Sequence, residues 1–156
     1  MGNLFYYDSP IGKLGIGEVD GYITHILFGE EELQDYIIKE TDLIKKAHIQ
    51  LNEYFAGKRI EFDLPLKYVN GTPFQQEVWN ALKEIKYGST CSYKDIATII
   101  GRPKAVRAVG GANNKNNIPI IIPCHRVIGA NGALIGYGGG IDKKVYLLQL
   151  EQKLFK

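Results

Sequence analysis

Cys124, His125 and Arg126 follow one another directly: a thiol, an imidazole and a guanidinium in three consecutive positions. Thiolate sulfur is a strong nucleophile, and an imidazole is the usual base for forming it. Neighbouring side chains tend to point apart, so His125 is expected to reach the sulfur through a bridge rather than directly. The apolar run Ile118-Pro119-Ile120-Ile121-Ile122 delivers the chain to this point, and Pro123 fixes the backbone just before the cysteine. The alternative is a structural cysteine beside two surface polar residues, because free cysteine packs as a small hydrophobe. The elements that would position the triplet separate the two readings.

The chain has 156 residues, 45% hydrophobic and 23% charged, as expected of a globular protein of one domain or two small ones. It has no apolar run long enough for a membrane span, and its first residues show no secretory signal. Its two cysteines, Cys91 and Cys124, form no metal-binding pair. Neither a disulfide scaffold nor a zinc site is expected, and a reducing, cytoplasmic location fits. Charge is divided unevenly. Residues 1–85 hold 8 Lys/Arg against 14 Asp/Glu, a balance of −6; residues 86–156 hold 11 against 3, a balance of +8. An acidic half joined to a basic half points to a polyanion partner for the second.

Residues 4–28 read as a β meander, with strands at Leu4–Tyr7, Lys13–Val19 and Tyr22–Phe28, and Asp20-Gly21 as a hairpin turn. Glu30–Glu32 reads as a solvated acidic patch. Thr41 or Asp42 can cap a helix whose apolar positions Ile44, Ala47, Leu51, Tyr54 and Phe55 keep helical spacing to Gly57. Ile60–Leu64 alternates like a further strand. His25 and His48 have no cysteine near them and read as scaffold.

Residues 67–71 read as a linker between a scaffold domain, 1–66, and a second domain, 72–156. Thr72-Pro73-Phe74-Gln75 opens a helix with a capping box and proline at the first helical position. Ser92 caps the next helix, with Asp95 three residues on and Ile96, Ala97, Ile99 and Ile100 as its expected core face. A third helix starts near Lys104 and runs to about Asn114. Two short helices joined by a glycine-containing turn form a helix-turn-helix pattern. The third helix carries small residues (Ala105, Ala108, Gly110, Gly111, Ala112), cations at Lys104, Arg107 and Lys115, and the amide Asn113. That surface, with Ser92, is expected to face DNA, although a tightly packed core helix could also be rich in small residues. Gly136–Gly140 lacks the spacing of a dinucleotide site. The last helix, Ile141–Phe155, is expected to turn Val145, Leu148, Leu150 or Gln149, and Leu154 inward. Lys144 and Glu151, by default, are surface charges.

Ile122-Pro123-Cys124-His125-Arg126-Val127 resembles the active-site signature of the O6-alkylguanine-DNA alkyltransferases, or methylated-DNA–protein-cysteine methyltransferases. Further blocks agree in order: Thr72–Gln76, Ser92-Tyr93, Pro103–Ala112, Gly136-Tyr137, and Lys144 with Leu147, Leu148 and Glu151. The resemblance is specific over residues 72–151 and looser over 1–66. It implies an α+β protein: a small N-terminal β-sheet/helix domain, ribonuclease-H-like, then a mainly helical, winged helix-turn-helix-like C-terminal domain for DNA binding and catalysis. It implies that Cys124 accepts a methyl group, His125 acts on it through a water, and Glu151 orients His125. Tyr93 would donate a proton towards the guanine, assisted by Lys144, and Arg107 would fill the base stack. Asn116 would tie down the loop entering the site, and Arg126 would brace the segment. Pro119 and Tyr137 would wall the pocket, and the backbone near Val127 and Gly138 would read the base edge. Family members can carry serine at the position of Gly138; a backbone donor suffices there. The N-terminal zinc of some members is not implied, because this half has no cysteine.

The implied reaction is one in-line displacement from O6-methylguanine in double-stranded DNA, with O4-methylthymine as a further expected substrate. Free cysteine has a pKa of about 8.5, so a base is needed to supply thiolate at neutral pH. The target carbon lies inside a duplex, so the base must be flipped out. The thioether is stable, so one turnover per chain is expected; no cofactor is implied, and a monomer suffices. A lesion sensor would lack the acceptor thiol. A helix-turn-helix regulator would need longer base-reading side chains on its third helix. A cysteine hydrolase normally draws its histidine from far along the chain.

Overall fold

The computed structural model describes residues 1–129, 132, 137 and 140–153. The chain divides into two compact units, residues 1–69 and 70–156.

In the first unit, three antiparallel strands form a meander: β1 (Gly2–Tyr7), β2 (Leu14–Val19) and β3 (Tyr22–Phe28). Asp20 and Gly21 both take positive φ, 52° and 83°, as a two-residue turn between twisted strands requires. A short strand, β4 (Tyr36–Ile38), pairs parallel with β1, giving the order β3-β2-β1-β4. Helix α1 (Asp42–Phe55) is capped by Thr41, whose side chain accepts from the Ile44 amide. It buries Ile44, Ala47, Leu51, Tyr54 and Phe55, the stripe its spacing predicts. Gly57, at φ 74°, ends it; Lys58 N–H bonds Glu53 C=O and Gly57 N–H bonds Tyr54 C=O, a Schellman stop. One expectation fails here. Residues 60–64 form no strand, although Ile23 and Leu66 make an isolated parallel bridge. Nothing in the sequence announces β4, since three residues carry too little periodicity and its pairing with β1 is non-local.

The second unit is mainly helical: α2 (Pro73–Leu82), α3 (Tyr93–Ile99), α4 (Val106–Asn114) and α5 (Ile141–Lys153). Thr72 and Ser92 both cap their helices with reciprocal capping boxes. Val78, Trp79 and Leu82 of α2 are buried, and the Trp79 indole donates to the Ala112 carbonyl at 2.8 Å, tying α2 to α4. A two-stranded parallel sheet joins β5 (Cys91–Ser92) to β6 (Val127–Ile128). This pairing of residues 36 apart in sequence sets the start of α3 beside the segment that follows the cysteine. Ile99, read as core, is 64% exposed; α3 is short and buries only Ile96 and Ala97. The inward face of α5 is also corrected. Lys144, Leu147 and Glu151 are buried, while Val145, Leu148 and Leu150 are half-buried and Gln149 is exposed. Leu154 lies outside the described residues. No described helix is long and apolar enough to cross a membrane.

Candidate active site

Proline shapes the backbone at the cysteine. Pro123 sits at φ −80°, ψ 64°, and Cys124 N–H bonds Ile122 C=O at 2.8 Å, an inverse γ-turn. A single 3₁₀ turn, Cys124–Arg126, follows and leads directly into β6. With three residues per turn, the three side chains splay about 120° apart. Just upstream, Ile120 is buried with φ 72°, a region that β-branched residues rarely enter. The Asn116 side chain holds this approach closed: its amide donates to Ile122 C=O at 2.9 Å, and its carbonyl accepts from Ile118 N–H at 2.9 Å.

All three residues of the turn are buried. His125 and Arg126 both meet one carboxylate. His125 Nε2 lies 2.7 Å from Glu151 Oε2. Arg126 donates to the same group twice, Nε to Oε1 at 2.8 Å and Nη2 to Oε2 at 3.0 Å, and its Nη1 donates to Ile85 C=O at 2.6 Å. Gly88 N–H adds a further bond to Glu151 Oε1 at 3.3 Å. Burial alone would raise the Glu151 pKa; the bonds from His125 and Arg126 outweigh it and hold the carboxyl at about 2. Glu151 is therefore an anion at neutral pH and can only accept, which puts the His125 proton on Nε2 and leaves Nδ1 as an acceptor. Burial lowers the His125 pKa despite the carboxylate, so the imidazole is neutral and basic. His125 Nδ1 is buried with no hydrogen-bond partner among the described residues.

Burial pushes the Cys124 thiol up to about 11, while the Asn116 side chain, the Lys144 ammonium and the Tyr137 hydroxyl act in the opposite direction. Lys144 is fully buried, at 0% exposure, donating to Val127 C=O at 2.6 Å, with its Nζ 6.0 Å from the centre of the Tyr93 ring. Burial lowers its pKa and the Cys124 charge raises it. The Tyr93 hydroxyl is pushed up by burial and by Cys124. Cys124, Tyr93, Lys144 and Val127 thus share one neighbourhood. Pro119 is buried and Tyr137 half-buried; Gly138 lies outside the described residues.

On α4, Lys104, Arg107, Ala108 and Lys115 are exposed at or near the helix, and Ala105 is half-buried. A Cβ added at Gly111 would meet nothing, so internal packing does not demand glycine there. The Ser92 hydroxyl is engaged in its helix cap. Asn113 departs from expectation. It is 2% exposed and its amide donates to Cys124 C=O at 3.3 Å, so it faces the nucleophile's peptide and not the outer surface. Its place one helical turn beyond Val109, also buried, puts it on the inner face of α4. The Arg126–Glu151 fork had no local signal in sequence, since its partners stand 25 residues apart. Among the described residues, no three His, Cys, Asp or Glu side chains could share a metal ion.

Residues 73–153 match the family model for the 6-O-methylguanine DNA methyltransferase DNA-binding domain, and residues 5–68 match that for its ribonuclease-like domain. The chain belongs to the 6-O-methylguanine DNA methyltransferase family. Relatives span nearly its whole length. The constitutive methylated-DNA–protein-cysteine methyltransferase of Bacillus subtilis is 48% identical over 96% of this chain and 94% of its own. The methylated-DNA–protein-cysteine methyltransferase of Methanosarcina acetivorans is 48% identical over 93% and 95%. Among solved structures, Mycobacterium tuberculosis OGT in complex with DNA superposes with a TM-score of 0.91 at 47% identity, covering 97% of this chain and 94% of that one.

Proposed function

We propose that this methyltransferase-family chain repairs DNA by direct reversal, moving the alkyl group from O6 of guanine in a duplex onto Sγ of its own Cys124. The observation that carries the reading is a buried thiol next to a neutral imidazole that is backed by an ionised carboxylate. A thiol raised to about 11 is inert at neutral pH unless a base takes its proton as it attacks. His125 takes that proton through a bridging water, and Glu151 stabilises the imidazolium that results, which is triad logic applied to cysteine.

Sγ attacks the methyl carbon from the side opposite O6. The S–C bond forms, the C–O6 bond breaks, and the electron pair leaves with the guanine. Tyr93 supplies a proton to the ring as that charge develops, and the Lys144 ammonium near its ring and close to Cys124 stabilises the phenolate. Among the described residues of the site, no group would cleave the thioether, so each chain acts once. Arg107, exposed on α4, fills the gap left by the flipped nucleotide, and Lys104 and Lys115 neutralise phosphates. Both cysteines are free, which suits a reducing cytoplasm. O4-methylthymine offers the same O-methyl carbon and is the second substrate to assay.

Duplex DNA carrying methyl-labelled O6-methylguanine tests this directly. Label on the protein saturates at about one methyl per chain, the limit set by one nucleophilic thiol, and maps to Cys124. Repeated turnover, or undiminished labelling of Cys124→Ser, would overturn it.

A further inference from the structure

We infer that Asn113 is a positioning residue for the proton transfer from Cys124: its side-chain carbonyl is the second acceptor for the water that links the thiol to His125. This rests on the reading of Cys124 as the alkyl acceptor and extends it to a residue on the helix otherwise given over to DNA. Two observations carry it, both outside the DNA surface.

The first concerns orphaned atoms. Asn113 Oδ1 and His125 Nδ1 are both buried side-chain acceptors with no hydrogen-bond partner among the described residues. Buried polar groups are nearly always satisfied, and an ordered water is the usual partner where protein groups do not supply one. The second concerns placement. Asn113 Nδ2 donates to Cys124 C=O at 3.3 Å, and His125 is the next residue along. The Cys124 carbonyl can only accept, so the amide nitrogen must be the atom facing it, and Oδ1 takes the other side of the amide plane. Both acceptors thus belong to side chains anchored at one peptide, Asn113 through its bond to the Cys124 carbonyl and His125 as the residue that follows.

A water between them has all its bonds assigned. Its oxygen accepts the thiol proton. One of its hydrogens goes to His125 Nδ1, and the other points at Asn113 Oδ1 and stays. In the transfer, the S–H proton passes to the water as the water passes its first hydrogen to Nδ1; the water is regenerated and imidazolium faces Glu151. Without a second acceptor, the water could rotate away from the line between sulfur and imidazole. Asn113 touches neither substrate nor the departing group, so it acts only through the water and the peptide. Among the described residues, the charged and titratable groups around the thiol are His125 in the same turn, Lys144 and Glu151 from α5, Tyr93 from α3, Tyr137, and Arg126 behind the carboxylate. None of them is on α4.

Asn113→Leu keeps the volume and removes the acceptor; Asn113→Ser leaves room and a hydroxyl. Two rates are read against pH in the full chain: alkylation of Cys124 by iodoacetamide, and single-turnover transfer from O6-methylguanine duplex. Asn113→Leu is expected to slow both by about tenfold or more at pH 7, the scale of a weakened general-base step. The deficit closes as pH rises and the thiol ionises without help. Asn113→Ser recovers part of the rate, and duplex affinity stays within about twofold, since the side chain is buried. In the double variant with His125→Gln, the two losses do not add, because both residues serve one water. A pH-independent deficit, additive losses, or weakened duplex binding with unchanged iodoacetamide kinetics would overturn the inference. If Asn113→Leu does not fold, the pH profile of Asn113→Ser decides alone. Should the wild-type chain transfer no methyl, the functional reading fails, while the iodoacetamide profile still reports on Asn113.

Discussion

Each unit of the chain buries a histidine, and the two are put to different uses. In the sheet of the first unit, the partners of His25 among the described residues are neutral: Thr24 Oγ1 at 3.0 Å, the Tyr36 hydroxyl at 3.4 Å and the Tyr36 ring edge-on. In the second unit, His125 meets an ionised carboxylate that an arginine holds in a fork. Burial lowers the pKa of both rings. Only His125 combines an ion on one nitrogen with an orphaned acceptor on the other. Burial makes a histidine neutral; an oriented ion on one side and an open lone pair on the other make it a base. The wider contrast follows the same line. Among the described residues, the second unit buries Arg126, Lys144 and Glu151, whereas the first buries a single charged residue, Glu18, whose carboxylate accepts from Gly21 N–H. Removing charges from water is costly unless they are paired and hydrogen-bonded. That expense is concentrated where the proposed chemistry lies.

The contrast can be broken most severely at Glu151. Glu151→Gln leaves Arg126 buried without its counter-charge and should destabilise the second unit by about 3–5 kcal/mol. Transfer should fall as well. A loss under about 1 kcal/mol in urea denaturation would mean the fork contributes little.

Acid titration makes the same point without mutation. The folded Glu151 pKa, about 2, lies below its ordinary 4.5. Its contribution to stability is therefore complete above pH 4.5 and is lost as pH falls from 4.5 towards 2. Glu151→Gln should flatten that part of the stability curve; an unchanged slope would remove Glu151 as the responsible group. The rate of transfer, by contrast, should decline only below pH 6.5, because burial lowers the pKa of His125.

Lys144→Met should separate stability from function. Exchanging a fully buried ammonium for an apolar side chain of similar length should cost no more than about 1–3 kcal/mol, because relief of its desolvation offsets the lost bond to Val127 C=O. Transfer should slow by about tenfold or more. A large stability loss with normal transfer would make Lys144 a structural residue.

Arg107→Ala should weaken duplex repair more than transfer from the free base, with a difference of about tenfold if the side chain replaces a flipped nucleotide. Equal effects on the two substrates would take Arg107 out of that role. The smallest effect is expected at His25. His25→Gln should cost about 1 kcal/mol and leave transfer unchanged; slowed transfer would mean the two histidines are not as different as their partners suggest.

The parts of the molecule written in local chemistry could be read from the chain. Capping boxes at Thr72 and Ser92, the Asp20-Gly21 turn and the buried stripe of α1 depend on residues within a few positions of each other. So does the order of groups in Cys124-His125-Arg126. The family blocks added residues such as Glu151 and Lys144, which spacing alone had left as surface charges. Tertiary structure decided what depends on distance along the chain. It paired β5 with β6, which sets Cys91 beside Val127 and Ser92 beside Ile128. It turned the polar face of α5 inward, because Lys144 finds Val127 C=O and Glu151 finds Arg126 and His125. It also took Asn113 off the exposed face of α4 and put it on the Cys124 carbonyl. A charged or amide side chain has no fixed side of a helix until its partners are in place. Hydrophobic periodicity predicts where apolar groups go, and buried polar groups follow their hydrogen bonds instead.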